Sequence, residues 1–312
     1  MIKKIICLLV ITIMLSVTAF GVFVDMPENE TEREALVKAV ETGLLNGVSE
    51  TEVAPYAPIT RSQMGAILVR AMGATNKADI SMFEDVSPKA WYYNELSCAV
   101  AMGAFQGDGG KNIYPDKNIT YQEAFLVLSR VFDLRYKKAD ALKTYPDVQS
   151  VAGWANDGVE KIVSGGYYDG KMLNPTQPIN RVEFAKVMNN LVKTYIDEPG
   201  TYSELPEGNI LVRCNGVVLD EIKNETAKSA SEGSLIIIGD GVKEASLLNA
   251  DGANVVVRGG NLNISGYVGI VRAVVGGVVL SPVSGSYGAK VYPDGSKGVI
   301  SAAAEGSYIS LK

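Results

Sequence analysis

Ile59-Thr60-Arg61-Ser62-Gln63, Ile119-Thr120-Tyr121-Gln122-Glu123 and Ile179-Asn180-Arg181-Val182-Glu183 are one pattern written three times at a step of 60 residues. Pro55, Pro115 and Pro175 precede the copies at the same step. Repetition at such a period means one supersecondary unit used three times. Working upstream, Phe23-Val24-Asp25, Phe83-Glu84-Asp85 and Tyr145-Pro146-Asp147 each place an aromatic two residues before an aspartate. An apolar helical stretch follows and ends in a glycine pair: Gly43 and Gly47, Gly103 and Gly107, Gly166 and Gly170. Each unit therefore reads aromatic-x-Asp, helix, glycine turn, proline loop, capped helix. Two helices cannot bury their apolar faces alone, so the units are expected to pack on one another.

The second helix of each unit has a defined start. Thr60, Thr120 and Asn180 are N-cap residues, with Gln63, Glu123 and Glu183 three positions on, which is a capping box or its Asn variant. Ile59, Ile119 and Ile179 are placed to staple onto Met64, Ala124 and Phe184. Arg61 and Arg181 then fall at the first helical position, where the macrodipole mildly disfavours a cation. One reading turns them to solvent or to an aspartate of their own unit. The other makes an anion site from exposed helix N–H groups and a guanidinium; the return of arginine in two units favours it.

These residues resemble S-layer homology domains, the wall-anchoring modules of bacterial surface proteins. The resemblance covers residues 22–197 and rests on the aromatic-x-Asp start, Trp91 and Trp154, the paired glycines and the Thr-Arg-x-Glu-like helix start. It implies a pseudo-threefold spindle of helices that binds secondary cell-wall polysaccharide, often pyruvylated, in grooves between units. Asp25, Arg61, Asp85, Trp91, Asp147, Trp154, Gly166 and Arg181 are the polysaccharide-binding residues it implies. Unit one has Thr31 at the Trp91 position, unit two has Tyr121 for the arginine, and unit one has Gln63 for the glutamate. Unit three carries the whole set, so the grooves are not expected to bind equally and unit three is expected to supply the strongest. From the residues alone, burial habit puts core packing ahead for the two tryptophans. Turn geometry is the plain reading of the aspartates and glycines.

Lys3-Lys4, an apolar run from Ile5 to Val17 and small residues near Ala19 and Gly21 read as a secretory signal peptide over 1–21. The net charge is −6, and −8 without those two lysines. That balance gives no reason to expect nucleic-acid binding. The chain has no histidine, which excludes Ser-His-Asp triads, Cys-His dyads and histidine-ligated zinc within it. Gly109-Gly110-Lys111 is no phosphate loop, because Phe105 stands where the first glycine is needed. No cofactor or metal is expected, and a disulfide between Cys98 and Cys214 is not expected.

After Tyr195 the texture changes. Short β-branched runs, from Ile210-Leu211-Val212 to Val278-Val279-Leu280, are broken by glycine, asparagine and aspartate. They predict a small all-β domain, a short right-handed β-solenoid with a β-sandwich as the alternative. The expected organisation is a signal peptide (1–21), three repeats (22–74, 80–138, 142–197), a linker (198–208) and the β-rich domain (209–312). In fold class this is an all-α three-repeat pseudo-trimer followed by an all-β domain. Asp240, Glu244 and Asp251 sit at turns, where carboxylates have ordinary structural reasons, so no catalysis is expected. The function expected is non-enzymatic: a secreted protein held to the cell wall or S-layer, displaying the β-rich domain. The alternatives are a wall-bound polysaccharide-degrading enzyme and a structural S-layer subunit that self-assembles at the surface.

Overall fold

The computed structural model describes residues 23–135, 138, 140–220, 234–248, 254–265, 270–273, 279–284, 290–292, 300–301 and 309–310. The expected signal peptide lies outside them, as does Asp251. Among the described residues six α-helices follow in chain order: α1 (Glu30–Glu41), α2 (Arg61–Met72), α3 (Tyr93–Ala101), α4 (Tyr121–Val131), α5 (Asn156–Ser164) and α6 (Arg181–Leu191), and they pack across unit boundaries, α2 on α3, α4 on α5 and α6 on α1. Among the described residues no helix is long and apolar enough to cross a membrane.

The capped helices start as the sequence dictates. Thr60 and Thr120 make both halves of a capping box, and the Asn180 carboxamide accepts the Glu183 N–H at 2.9 Å. Glu183 does not return the bond but turns to Lys186, 3.1 Å away. The three isoleucines just before these helices are fully buried and meet at one point. Ile119 N–H donates to Ile59 C=O (2.9 Å), Ile59 N–H to Ile179 C=O (3.0 Å), and Ile179 N–H to Ile119 C=O (3.0 Å). Three hydrogen bonds thus close a ring through all three units.

The glycine pairs divide their work. Gly43, Gly103 and Gly166 hold φ near +70°, which an L side chain rarely adopts. Gly47 and Gly107 are where the aromatic of the aromatic-x-Asp start lands: a Cβ there would come within 2.7 Å of Phe23 and Phe83.

The strands are β1 (Thr194–Ile196), β2 (Gly200–Tyr202), β3 (Ile210–Val212), β4 (Val217–Asp220), β5 (Leu235–Ile238), β6 (Glu244–Leu248), β7 (Asn254–Val257), β8 (Asn261–Ser265), β9 (Ile270–Ala273), β10 (Val279–Ser284), β11 (Lys290–Tyr292), β12 (Ile300–Ser301) and β13 (Ile309–Ser310). Odd-numbered strands from β1 to β11 pair in one sheet, even-numbered strands from β2 to β10 in a second, all in parallel. The antiparallel sheets of a sandwich are not found in this stack. Among the described strands β12 and β13 pair antiparallel, at the ends. The molecule is therefore mixed α/β. The segment expected as a linker carries β2, and β1 follows α6 directly, because Pro199-Gly200 bends the chain from one sheet into the other.

Nor is the helical part separate from the strands. Leu211, Leu235, Ile237 and Val256 of the first sheet belong to the same apolar core as the helices. Around them, helix C-terminal carbonyls that would otherwise be orphaned take donors from the strand region. Gly241 N–H bonds Met72 C=O of α2, Asn209 Nδ2 bonds Leu191 C=O of α6, and Arg213 bonds Thr42 C=O after α1. Arg258, 1% exposed, bonds both Val131 C=O (2.7 Å) and Met102 C=O (2.9 Å) while pairing with Asp240 at 2.6 Å. A cation at two helix C-termini also meets the negative ends of both macrodipoles. Burial pushes the Asp240 carboxyl up, and Arg258 opposes that shift.

Removing Arg258 leaves Asp240 buried and two carbonyls bare. Arg258→Ala is expected to lower the stability of the full chain by about 3–5 kcal/mol in denaturant unfolding. Opening the Arg213–Asp197 pair, whose carboxylate is half exposed, by Asp197→Ala should cost no more than about 1 kcal/mol. Equal losses would mean that the buried pair does not hold the junction. A chain ending at Asp197, which the repeat pattern alone predicts to fold independently, should lose cooperative melting and bind an apolar dye; a melt matching the full chain would contradict the shared core.

Candidate functional site

The ring of isoleucines pushes the first turn of each capped helix into the neighbouring unit. Arg61 N–H donates to Lys117 C=O, Tyr121 N–H to Gln177 C=O, and Arg181 N–H to Ala57 C=O. The next N–H in each helix goes to the leading proline of that neighbour: Ser62 to Pro115, Gln122 to Pro175, Val182 to Pro55. With the third N–H held by the cap, none of these three helix starts has backbone donors left for an anion. The helix-terminus anion site read from the sequence is therefore not what these arginines form, and neither do they point to bulk solvent.

Instead each guanidinium reaches across the unit boundary. Arg181, 6% exposed, donates to Val53 C=O (2.6 Å) and Asn46 C=O (2.5 Å) of unit one. Arg61 donates to Ile113 C=O of unit two at 2.8 Å and lies over the Phe105 ring. Burial lowers the pKa of both. Arg70 adds to the lowering at Arg181, whereas Glu123 and Asp85 oppose it at Arg61.

Two cavities open beside these arginines. One, of about 410 Å³, is lined by Arg181, by Leu45 to Val48, by Gln63, Ala66, Ile67 and Arg70 of α2, and by Trp91. The other, of about 250 Å³, is lined by Arg61, by Ala104 to Gly107, by Glu123, Leu126, Val127 and Arg130 of α4, and by Trp154. Leu45 to Gly47, Gln63, Ala66, Ile67 and Arg70 of the first have counterparts 60 residues on in the second, and each set adds one tryptophan and one first-turn arginine. Each groove draws on three units: an arginine from the preceding one, a glycine loop and capped helix from the middle one, and a tryptophan from the next.

The core reading of the tryptophans is corrected. Trp91 is 63% and Trp154 57% exposed, each at the rim of a cavity. The grouping of a complete set in unit three is corrected too. Arg181 serves the groove on unit one, and Trp154 the groove on unit two.

The aspartates take another role. Asp25 accepts Val53 N–H (2.9 Å) and Ala54 N–H (2.7 Å); Asp85 accepts those of Ile113 and Tyr114; Asp147 accepts those of Leu173 and Asn174. Ala54, Tyr114 and Asn174 each stand at φ near +50°, so the carboxylates pin a strained loop residue. Asp25, Asp85, Asp147 and the turn residue Gly166 line neither cavity. Arg70 and Arg130, which the sequence reading passed over, do; their spacing of 60 residues was the available signal.

Residues 83–125, from the aromatic of unit two to the middle of α4, match the S-layer homology domain family. The chain carries an S-layer homology domain. The matched segment holds Trp91, at the rim of the first cavity, and the Gly107 loop and Thr120–Glu123 capping box beside the second. The chain is 29% identical over 167 residues to the surface-layer 125 kDa protein of Lysinibacillus sphaericus, covering 52% of this chain and 14% of the relative. It is 25% identical over 177 residues to the middle cell wall protein of Brevibacillus brevis, covering 55% and 16%. A likeness of 26% over 156 residues to an amylopullulanase of Thermoanaerobacterium thermosulfurigenes covers 48% of this chain and 8% of that enzyme. The chain thus spans a minor part of the length of these relatives.

Among the described residues no group of acidic or cysteine side chains is arranged to hold a metal. Cys98 and Cys214 are both free thiols. Glu244 accepts from Asn263 at 3.1 Å, and Asp240 is committed to Arg258.

The exposure of Trp91 sets a clear expectation. Trp91→Ala should change stability by less than about 0.5 kcal/mol, against about 3–5 kcal/mol for a core tryptophan. Denaturant unfolding separates the two.

Proposed function

We propose that this chain is a secreted surface protein held non-covalently at the bacterial cell wall, through three S-layer homology repeats that form a pseudo-threefold unit around the isoleucine ring. The ligand is an acidic secondary cell-wall polysaccharide, in its pyruvylated form, bound in grooves between units. The observation that carries this reading is the pairing, twice over, of a guanidinium and an exposed tryptophan in one cavity. A planar cation takes a carboxylate in a bidentate fork. An indole face takes the apolar face of a sugar ring. The family match and the surface and wall relatives support the same location.

The strand region is best read as a two-sheet solenoid that serves as the base of the helical part. Asp240 and Glu244 are engaged in structure, and the likeness to the amylopullulanase lies in the S-layer homology region. No reaction is proposed for it. The likeness to the surface-layer protein favours a second reading, a lattice subunit that self-assembles. It differs in one measurement: sheets formed by the purified chain without wall material.

The test is sedimentation of the full chain with purified wall sacculi, before and after extraction of the secondary polymer. Binding should require the polymer. Arg181→Ala should weaken it by about 1.5–3 kcal/mol, the value of a charge-assisted hydrogen bond, and Tyr121→Ala should not. Retention on stripped sacculi, or equal losses from both variants with folding intact, would defeat the reading.

A further inference from the structure

Resting on the reading of the cavities as glycan grooves, we infer that the three inter-unit positions are chemically unlike: the Arg181 groove takes an acidic sugar, the Arg61 groove a neutral one, and the third is sealed. The Arg181 groove is walled by donors. Arg70 places one Nη on Leu44 C=O at 2.6 Å, while its Nε is buried with no partner among the described residues. Gln63 uses Oε1 on the Thr60 N–H, which leaves its amide nitrogen as a donor. The carboxylates that support these two arginines, Asp25 and Glu95, lie outside the lining, and both oxygens of Asp25 are taken by backbone N–H groups. Two guanidiniums that repel one another in a partly desolvated cleft are relieved by one anion between them.

At the matching place in the Arg61 groove stands a carboxylate. Glu123 lines that cavity, with Oε2 on Thr120 and Oε1 at 3.2 Å from Lys117. Arg61 is already stacked on Phe105, 4.7 Å from the ring centroid. This groove also has two arginines, Arg61 and Arg130, but the Glu123 charge offsets one of them, so an incoming anion meets a carboxylate as well, whereas a hydroxyl finds both donors and an acceptor.

The third position keeps the glycine loop and the capped helix but lacks both arginines and the tryptophan of the other two. Tyr121 replaces the arginine, Asn190 stands where Arg70 and Arg130 stand, and Thr31 where Trp91 stands. Buried Tyr121 packs edge-on against Phe125 of its own helix and, across the boundary between units two and three, against Tyr168, at 5.9 and 6.0 Å. Lys186 on that side is held by Glu183 and Asp169.

The chain has two tryptophans, one per groove, so each indole N–H signal reports one site. The experiment titrates the full chain, ¹⁵N-labelled at tryptophan, with a 4,6-O-pyruvylated methyl hexoside and with its 4,6-O-isopropylidene counterpart, which has a methyl group in place of the carboxylate. The acidic probe should shift Trp91 at about tenfold lower concentration than Trp154, with two sites filled per chain. The neutral probe should lose that preference. Gln63→Glu should raise the Trp91 midpoint about tenfold, and Glu123→Gln should lower that of Trp154. Both side chains are partly exposed, so these variants test the idea even if Arg181→Gln fails to fold. Equal midpoints for the acidic probe, or a third site, would overturn the inference and leave glycan binding standing. No shift of either indole, in a chain that still sediments with sacculi, would overturn the groove reading itself.

Discussion

Three backbone hydrogen bonds among Ile59, Ile119 and Ile179 set the relation of the helical units, and the grooves exist because of that relation. The bonds join residues 60 or 120 positions apart, in the dry centre, where an unpaired N–H or C=O would cost about 1–3 kcal/mol. Closing the ring turns the first residue of each capped helix away from its own unit and over the proline loop of another. The arginine then becomes a lining residue of a groove whose floor and rim come from two other units. No unit alone contains a groove, which explains why a set of residues that looks complete in unit three is divided between two sites.

The opposite end is held by a different device. Helix C-termini present carbonyls and negative partial charge, and the strand region answers with Arg213, Arg258, Asn209 and the Gly241 N–H. Arg258 is the most constrained of these, since its guanidinium serves two helices of unit two and Asp240 at once. The strands thereby finish the helices, and the apolar faces of β3, β5 and β7 finish their core. Asp240 is thereby committed to the junction through its pairing with Arg258.

Chemical roles followed location more than residue type. The aspartates, which head each unit, are the most repeated acids in the chain and look like ligand residues. Their oxygens hold Ala54, Tyr114 and Asn174 in left-handed geometry instead. The tryptophans, which burial habit assigns to cores, stand exposed at the cavity rims instead.

By itself the sequence determined the repeat, its period, the capped helix starts, the staples, the glycine turns and the run of short strands. All of these are local, set by neighbours within a few residues, so pattern and propensity suffice to read them. Only the tertiary structure decided that the helix N–H groups are spent on proline loops, that Arg181 pairs with Trp91 and Arg61 with Trp154, and that the strands share the helices' core. Those outcomes depend on contacts between residues 50 to 160 positions apart. Such contacts are selected by which polar groups must be satisfied once the apolar faces are buried, and no local pattern carries that information.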